Sequence, residues 1–224
     1  MIVEPLVQAA GGMRMHTPDN LRNLFEVARR HDVLFIADEV MTGGGRLGPL
    51  WAHQAAGIQP DLICAAKTLA GGVLPLAATL ASPRIVAAFD TADSKRTLFH
   101  GHSFTAHPLA CAIAAANWKS LPRGINHQAV RIESFWKDKL ESLRGNPLVR
   151  DVRIRGAIGA IELKADGGYL ADIGRLMRQT CLGAGVSLRP LGNVLYAMPP
   201  FCTSDSSLER IADAMFAAVK AVTP

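Results

Sequence analysis

Two ionisable side chains end apolar runs, where a strand would place each of them at the edge of a sheet. Asp38 ends "LFIAD", Lys67 ends "LICAAK", and a glycine cluster follows each of them. A carboxylate at a strand end is partly desolvated and needs a cationic partner, either a side chain or a ligand nitrogen. A desolvated lysine loses its proton readily and can act as a nucleophile. Together these residues predict one site at the carboxyl ends of neighbouring strands, where ligands of open α/β sheets bind.

Each residue taken alone has a simpler interpretation. Asp38 could only cap the turn into "TGGGRLG", with Glu39 as a solvated neighbour. Lys67 could extend outward from the start of a helix, its methylene stem resting on apolar surface. The segment "GGGRLG" is weak support for a nucleotide loop, because it lacks both the GxGxxG spacing and the Walker lysine.

A third candidate segment is "FHGHSFTAHPLA", just before a predicted helix. Gly101 allows close backbone approach, Ser103 and Thr105 supply hydroxyls, and a helix starting after His107 would favour an anion, so the segment suits a phosphate group. Its three histidines, His100, His102 and His107, could alternatively bind a metal. No acidic or cysteine partner completes a ligand set and the spacing matches no standard cage, so no metal site is predicted.

The elements that must position these residues alternate between helix and strand in the first half of the chain. Thr17 and Pro18 predict the start of a helix that ends near Arg30. Strands are predicted at "VLFIA", "PDLICAA" and "LAATLAS", and a buried helix of small residues follows Pro108. This order predicts an α/β fold with a mostly parallel sheet.

The pattern changes near residues 119–126, where Pro122 and Gly124 interrupt it. We therefore predict one domain over residues 1–118 and a smaller α+β domain over 119–224. The second domain is expected to contain a helix capped by Asn126, a strand pair in "VRIRGAIGAIEL", a helix near 168–182, strands at "VSLRP" and "VLYAM", and a last helix opened by a capping box of Ser206 and Glu209.

Composition limits the class of protein. The 224 residues are 49% apolar and 19% charged, which predicts a globular protein with a sizeable core. The longest nearly apolar stretch, "TLAGGVLPLAATLA", is too short and too interrupted to span a membrane, and the absence of a basic leader favours the cytoplasm. The net charge of +5 is scattered rather than striped, so nucleic acid is not an expected partner.

Three segments together resemble the class III aminotransferases, pyridoxal phosphate enzymes of fold type I: "LFIADEVMTGGGRLG", "PDLICAAKTLAGG" and "HGHSFTAHPLACA". The resemblance implies that the first domain is the C-terminal part of the large cofactor-binding domain. It also implies roles for single residues. Asp38 would pair with the pyridine nitrogen, Lys67 would bind the cofactor covalently, Val40 would pack on its ring, His102 and Ser103 would reach the phosphate of the neighbouring subunit in a homodimer, Gly101 would lie beside the substrate, Arg189 would bind the substrate carboxylate, and Tyr196 would line that pocket.

Within the family, "VEPLVQAAGGMRM" and "SLRPLGNVLYAMPPF" are most similar to the biotin-biosynthesis members. The expected substrates are then 8-amino-7-oxononanoate and S-adenosylmethionine. Two alternatives stay open: another ω-amine or ω-amino acid aminotransferase, or an inactive fragment. Family members carry roughly as many residues again upstream, so a separately encoded N-terminal half is a possible partner.

Overall fold

The computed structural model describes residues 1–121 and 125–222. The chain divides into two compact units. The first comprises Met1–Leu6, His16–Gly45 and Pro49–Ile125, and the second comprises Val7–Met15, Arg46–Gly48 and Asn126–Pro224. The predicted domain boundary after residue 118 stays a prediction, and the break predicted at Pro122 and Gly124 lies outside the described residues.

The strands in the described part of the chain are short, and most of the α-helices are longer. The strands are β1 (Ile2–Val3), β2 (Val7–Gln8), β3 (Arg14–Met15), β4 (Ile36–Asp38), β5 (Leu62–Ala65), β6 (Ala78–Ala81), β7 (Val149–Arg155), β8 (Ile158–Leu163) and β9 (Val194–Ala197). The α-helices are α1 (Pro18–Arg30), α2 (Pro83–Val86), α3 (Pro108–Ser120), α4 (Ile125–Leu140), α5 (Ile173–Gly183) and α6 (Asp205–Ala221). Short 3-10 helices span Ala52–Ala56, Lys67–Leu69, Ser94–Arg96, Glu141–Gly145 and Gly168–Leu170.

The sheet of the first unit has the order β1-β4-β5-β6. β4 is parallel to both β1 and β5, whereas β6 runs antiparallel at the edge, so the predicted mostly parallel sheet is confirmed. β4 is shorter than predicted. The amide of Val33 donates to the carbonyl of Ala28 at the end of α1, and the ladder begins only at Ile36, whose amide donates to Met1.

Helix α1 has the predicted bounds because its cap is local. The hydroxyl of Thr17 accepts from the amide of Asn20 at 3.1 Å, and Pro18 occupies the first turn, where a missing amide hydrogen costs nothing. Leu21 and Ala28 are fully buried on one face of the helix. Helix α3 also forms as predicted, but the expectation that it is buried is wrong in this chain: Ala110 and Ala114 are covered, whereas Leu109 is 66% exposed.

The second unit is an antiparallel sheet, β7-β8-β9, with a core formed against helices α4, α5 and α6. Trp136 of α4 is fully buried and its indole donates to the carbonyl of Ala157 at 3.1 Å. A Cβ on Gly159 would lie 2.9 Å from the Trp136 ring, so glycine permits the helix to approach the sheet. The β2-β3 hairpin also belongs to this unit and is fastened to it by Arg153, which donates to the carbonyl of Gly12 at 2.8 Å.

Three details predicted for the second unit are wrong. Residues 186–190 form no strand, because the chain there leads into a tight bridge between Leu191 and Val194 instead of pairing with the sheet. Helix α4 begins at Ile125, which places Asn126 inside the helix rather than at its cap. Helix α6 is capped by Ser204, whose hydroxyl accepts from the amide of Ser207 at 3.2 Å, and not by Ser206.

Candidate active site

Asp38 is the last residue of β4 and lies on the less covered face of the first unit's sheet. It pairs in register with Cys64 of β5 and shares its face with Ile36. One carboxylate oxygen, Oδ1, accepts from the amide of Val40 at 3.1 Å, which is the turn-capping contact expected from the simpler interpretation. The second oxygen has no hydrogen bond and the carboxylate no ion pair within residues 1–121 and 125–222. Asp38 can therefore cap the turn through Oδ1 while its second carboxylate oxygen remains available to a ligand.

The negative charge of Asp38 acts on its register neighbour. The pKa of the Cys64 thiol is raised, first because burial disfavours the thiolate and second because the carboxylate of Asp38 repels it. Cys64 is thus held as a neutral thiol beside the carboxylate.

Lys67 stands two residues beyond the end of β5 and opens the 3-10 helix Lys67–Leu69. Because β4 and β5 are parallel neighbours, Asp38 and Lys67 lie at the same edge of the sheet. Lys67 has a positive φ of 44°, a backbone conformation that residues other than glycine rarely adopt. Lys67 is exposed and makes no ion pair with any described residue, so its amine is accessible at this edge of the sheet.

Glu39, the neighbour of Asp38, is not the solvated residue that the simpler interpretation expected. It is 1% exposed, and its carboxylate accepts from the hydroxyl of Thr42 at 2.6 Å and the amide of His53 at 2.8 Å. The Nδ1 atom of His53 lies 2.9 Å from the same carboxylate. Sequence reasoning missed this cluster. The hydrogen bonds of the Glu39 carboxylate stabilise the turn that contains Asp38 and Val40.

The glycine cluster after Asp38 serves close packing against the lysine turn. Gly44 has φ +72°, and a Cβ there would lie 2.3 Å from the side chain of Thr68. The Thr68 hydroxyl donates to the carbonyl of Gly43 at 3.3 Å. A small pocket lies beside this contact, lined in part by Glu39, Thr68 and Trp118. The two halves of the predicted site are thus joined through Thr68, a residue that the sequence reasoning did not select.

The predicted phosphate segment is an exposed loop in this chain. Gly101, His102 and Ser103 are all exposed. The amide of His102 donates to the hydroxyl of Thr105 at 2.8 Å, and α3 begins at Pro108 as predicted, with the ring of His107 as its cap. Within the described residues, no group of three or more histidine, cysteine, aspartate or glutamate side chains is placed to hold a metal ion.

The two remaining candidates belong to the second unit. Arg189 is exposed, outside any strand, and without an ion pair to the described residues, so its guanidinium is free to bind an anion. Tyr196 lies on β9 opposite Ala160 and is half-buried. No helix in the described part of the chain is both long and apolar enough to cross a membrane.

Solved structures define the class of this fold. An amine transaminase from an uncultivated Pseudomonas species, solved in its PLP-bound form, matches 98% of this chain with a TM-score of 0.90 and 32% identity. A thermostable (S)-enantioselective omega-transaminase from Thermomicrobium roseum matches 100% of it with a TM-score of 0.91 and 29% identity. The match covers 51% of each of those chains. The predicted fold, that of the pyridoxal phosphate-dependent aminotransferases, is confirmed.

Sequence comparison narrows the class to one family. The family model for aminotransferase class-III matches residues 1–219, and the chain belongs to this family. The adenosylmethionine-8-amino-7-oxononanoate aminotransferase of Synechococcus elongatus is 46% identical over 214 residues, and that of Corynebacterium glutamicum is 38% identical over 221. These alignments cover 94% and 98% of this chain but 50% and 51% of the relatives. The chain therefore spans about half the length of the curated relatives it matches.

Proposed function

We propose that this chain carries the cofactor lysine of an aminotransferase that moves an amino group from S-adenosylmethionine to 8-amino-7-oxononanoate, giving 7,8-diaminononanoate for biotin. The observation that carries the proposal is the placement of Asp38 and Lys67 at the carboxyl ends of neighbouring parallel strands. The relatives named for this reaction, at 38% and 46% identity, support the choice of substrates.

The residues at this edge fit pyridoxal phosphate. The cofactor offers a cationic ring nitrogen and an aldehyde, and the site offers a carboxylate with a spare oxygen and a free primary amine. When bound, pyridoxal phosphate supplies an electron sink that stabilises negative charge at the substrate carbon. A relative of this fold was solved in its PLP-bound form, which supports the same cofactor here.

Asp38 and Lys67 would divide the chemistry between them. The carboxylate of Asp38 keeps the ring nitrogen protonated, because an adjacent negative charge favours the cationic form. The amine of Lys67 would attach covalently to the aldehyde of the cofactor with loss of water. Once the substrate amine displaces it, Lys67 would take a proton from the substrate carbon as general base and deliver it to the former aldehyde carbon of the cofactor as general acid. Val40, whose amide already bonds to Asp38, would pack on the ring face.

Other residues would bind the phosphate and the substrate. His102 and Ser103 would reach the phosphate in a neighbouring subunit, with Gly101 beside the substrate, and this arrangement requires a homodimer. The exposure of the loop that carries all three residues supports it. Arg189 would bind the carboxylate of 8-amino-7-oxononanoate with its planar fork of donors, and Tyr196 would line that pocket.

The proposal extends to the organisation of the whole protein. Residues 1–118 would form the C-terminal part of the large cofactor-binding domain, and residues 119–224 the small domain. A segment equivalent to the unmatched half of the relatives would cover the exposed apolar side chains of the first unit, such as Ile2, which is 61% exposed. This covering segment would belong either to the same chain or to a separate one. The protein would act in the cytoplasm.

A second candidate function keeps the cofactor and changes the substrates. Solved structures described as omega transaminases match this chain at 29% and 30% identity, which favours an ω-amine as donor in that case. The two functions differ in the amino acceptor. The purified protein, supplied with any complementing segment, is expected to aminate 8-amino-7-oxononanoate with S-adenosylmethionine, and faster turnover of pyruvate with an ω-amine would instead favour the second function.

The cofactor site itself is tested by trapping. The chain is incubated with pyridoxal phosphate, reduced with borohydride, and digested for peptide mapping. We expect one stable adduct on Lys67, lost in Lys67→Ala and retained in Lys119→Ala, an exposed lysine of α3. Adducts spread over surface lysines, or none at all, would contradict the proposal.

A further inference from the structure

We propose that Asn117 is a positioning residue for Lys67. From helix α3, its side-chain amide fastens the turn Lys67–Leu69 and so sets where the lysine amine points. The inference rests on the proposed function in one respect, that Lys67 is the residue that binds the cofactor.

The backbone of the turn Lys67–Leu69 is strained, so contacts from elsewhere in the chain must stabilise it. The φ of +44° at Lys67 lies in the left-handed region, which costs free energy for any residue that has a Cβ. Such conformations persist only where the surroundings impose them, and they are enriched at functional sites. The 3-10 helix that Lys67 opens has only three residues, and the hydrogen-bond geometry of such helices is poor, so the helix adds little stability of its own.

Asn117 supplies such contacts through two hydrogen bonds. Its Nδ2 atom donates to the carbonyl of Thr68 at 2.6 Å and to the carbonyl of Leu69 at 3.2 Å. A side-chain amide carries two N–H donors, so one asparagine can serve both carbonyls. Both bonds reach the residues directly after Lys67, from a helix almost fifty positions further along the chain.

The shape of the neighbouring backbone fits this contact. Gly71 has φ +60°, and a Cβ at that position would lie 2.8 Å from Oδ1 of Asn117. Glycine at position 71 therefore leaves the space that Asn117 occupies. On the opposite side, the hydroxyl of Thr68 donates to the carbonyl of Gly43. The turn is thus held between helix α3 and the glycine cluster that follows Asp38.

The placement of Asn117 on its helix agrees with this role. Ala110, Ala114 and Asn117 are spaced four and three residues apart, so they share one face of α3. Ala110 and Ala114 are buried, and Asn117 continues their line where the helix meets the lysine turn. A polar residue in this run of small apolar residues is explained by the two carbonyls opposite it.

Three variants of the 224-residue chain test the proposal. Asn117→Ala removes both donors. Asn117→Asp removes them while keeping the side-chain shape, and it places a negative charge opposite the two carbonyls. Asn23→Ala, at an exposed position of α1, is the matched control, because it makes the same exchange on a helix without touching the site. A role in packing alone would make Asn117→Asp milder than Asn117→Ala. Loss of the donors makes Asn117→Asp at least as severe, because the carboxylate is also repelled by the two carbonyl oxygens.

The first measurement is amide hydrogen exchange at Leu69, whose amide closes the turn by donating to Ala66, in the chain without cofactor. We expect exchange about tenfold faster in both variants at position 117 and unchanged in the control, because two side-chain hydrogen bonds to the turn are lost. Unchanged exchange at Leu69 would overturn the proposal.

The second measurement is the rate at which pyridoxal phosphate attaches to Lys67, from samples reduced with borohydride at timed intervals and mapped. We expect attachment about tenfold slower in both variants at position 117, because a misdirected amine reaches the aldehyde less often. Faster exchange with an unchanged attachment rate would make Asn117 a structural residue only, which overturns its positioning role. If wild type itself gives no adduct on Lys67, the proposed function fails, and the exchange measurement alone decides whether Asn117 holds the turn.

Discussion

Asp61 shows how a buried carboxylate is kept charged in the first unit. It directly precedes β5 and its side chain is 5% exposed. Its oxygens accept from the amide of Phe35 at 2.7 Å and from Arg29 at 2.9 Å, and the guanidinium of Arg84 lies 3.6 Å away. Burial opposes the charge, but the Phe35 amide and the two arginines outweigh it, so the pKa of Asp61 is lowered.

This lowered pKa predicts a pH dependence of stability. Unfolding returns the Asp61 pKa to about 3.9, so the stabilisation is complete above that pH and is lost as the pH falls through the lower folded value. We expect the free energy of unfolding, measured by urea titration, to fall below about pH 4 in wild type and to fall less in Asp61→Asn. Asp90→Asn, an exposed control, should keep the wild-type profile. An unchanged profile in Asp61→Asn would contradict the prediction.

The shared sheet edge of Asp38 and Lys67 could be predicted from the sequence, but the surroundings of these two residues could not. Asp38 and Lys67 were predictable because an apolar run followed by a charge marks a strand end. A continuous buried strand over residues 33–37 does not predict the burial of Glu39. Phe35, Ala37 and Glu39 in fact alternate inward with period two, a pattern that could have placed Glu39 on the buried face. His53 and Asn117 could not be linked to the site from sequence, since their contacts span 14 and 48 or more positions.

Among the elements, the packing of the lysine turn against the glycine cluster that follows Asp38 depends on one close contact, between Thr68 and Gly44. The side chain of Thr68 occupies the space that a Cβ at Gly44 would need. The 3-10 helix that begins at Lys67 can lie against the cluster only because glycine leaves this space free. The element that begins at Lys67 is therefore sensitive to a change in a different loop.

Gly44→Ala tests this dependence. The new Cβ would meet Thr68 at 2.3 Å, in addition to the strain of φ +72°. Gly72→Ala is the matched control, because it has φ +82° with nothing within 4 Å of the Cβ. We expect Gly72→Ala to cost about 1 kcal/mol in urea unfolding and Gly44→Ala to cost about 1–3 kcal/mol more, since overpacking adds to the strain. Equal costs would show that the contact with Thr68 is loose.

Elements with a local signal were predicted well, and those that depend on distant partners were not. The cap of α1 and the alternation of β7 and β8 are carried by neighbouring residues. Residues 186–190 have strand-like composition but find no pairing partner, and composition cannot reveal that. Ser204 caps α6 instead of Ser206, because several serines stand together and geometry alone selects among them.

For the whole molecule, apolar exposure concentrates in one stretch of the first unit. Leu98, Phe99, Phe104 and Leu109 are 62%, 87%, 70% and 66% exposed. Large exposed apolar side chains so close together in the chain predict an interaction surface. The proposed homodimer and the proposed covering segment both offer a partner for it.

The double variant Phe99→Ser with Phe104→Ser tests this surface. We expect the 224-residue chain to self-associate with rising concentration, and the double variant to do so at least several-fold more weakly, by sedimentation velocity. Its urea midpoint should stay within error, because exposed residues contribute little to folding. Leu170→Ser, an 85% exposed residue in the second unit, is the control and should leave self-association unchanged. Equal association in all three chains would exclude this stretch as the interface.

The tryptophans give each compact unit its own intrinsic fluorophore. In the first unit, beside the lysine turn, Trp51 and Trp118 lie with ring centroids 5.7 Å apart and ring planes tilted by 32°. The third tryptophan, Trp136, is fully buried in the core of the second unit. Because Trp118 belongs to helix α3, the near-ultraviolet circular dichroism of the Trp51–Trp118 pair is expected to change when α3 moves relative to Trp51. The buried indole of Trp136 contributes emission that responds to the integrity of its own core, so each unit carries an intrinsic optical signal without an added label.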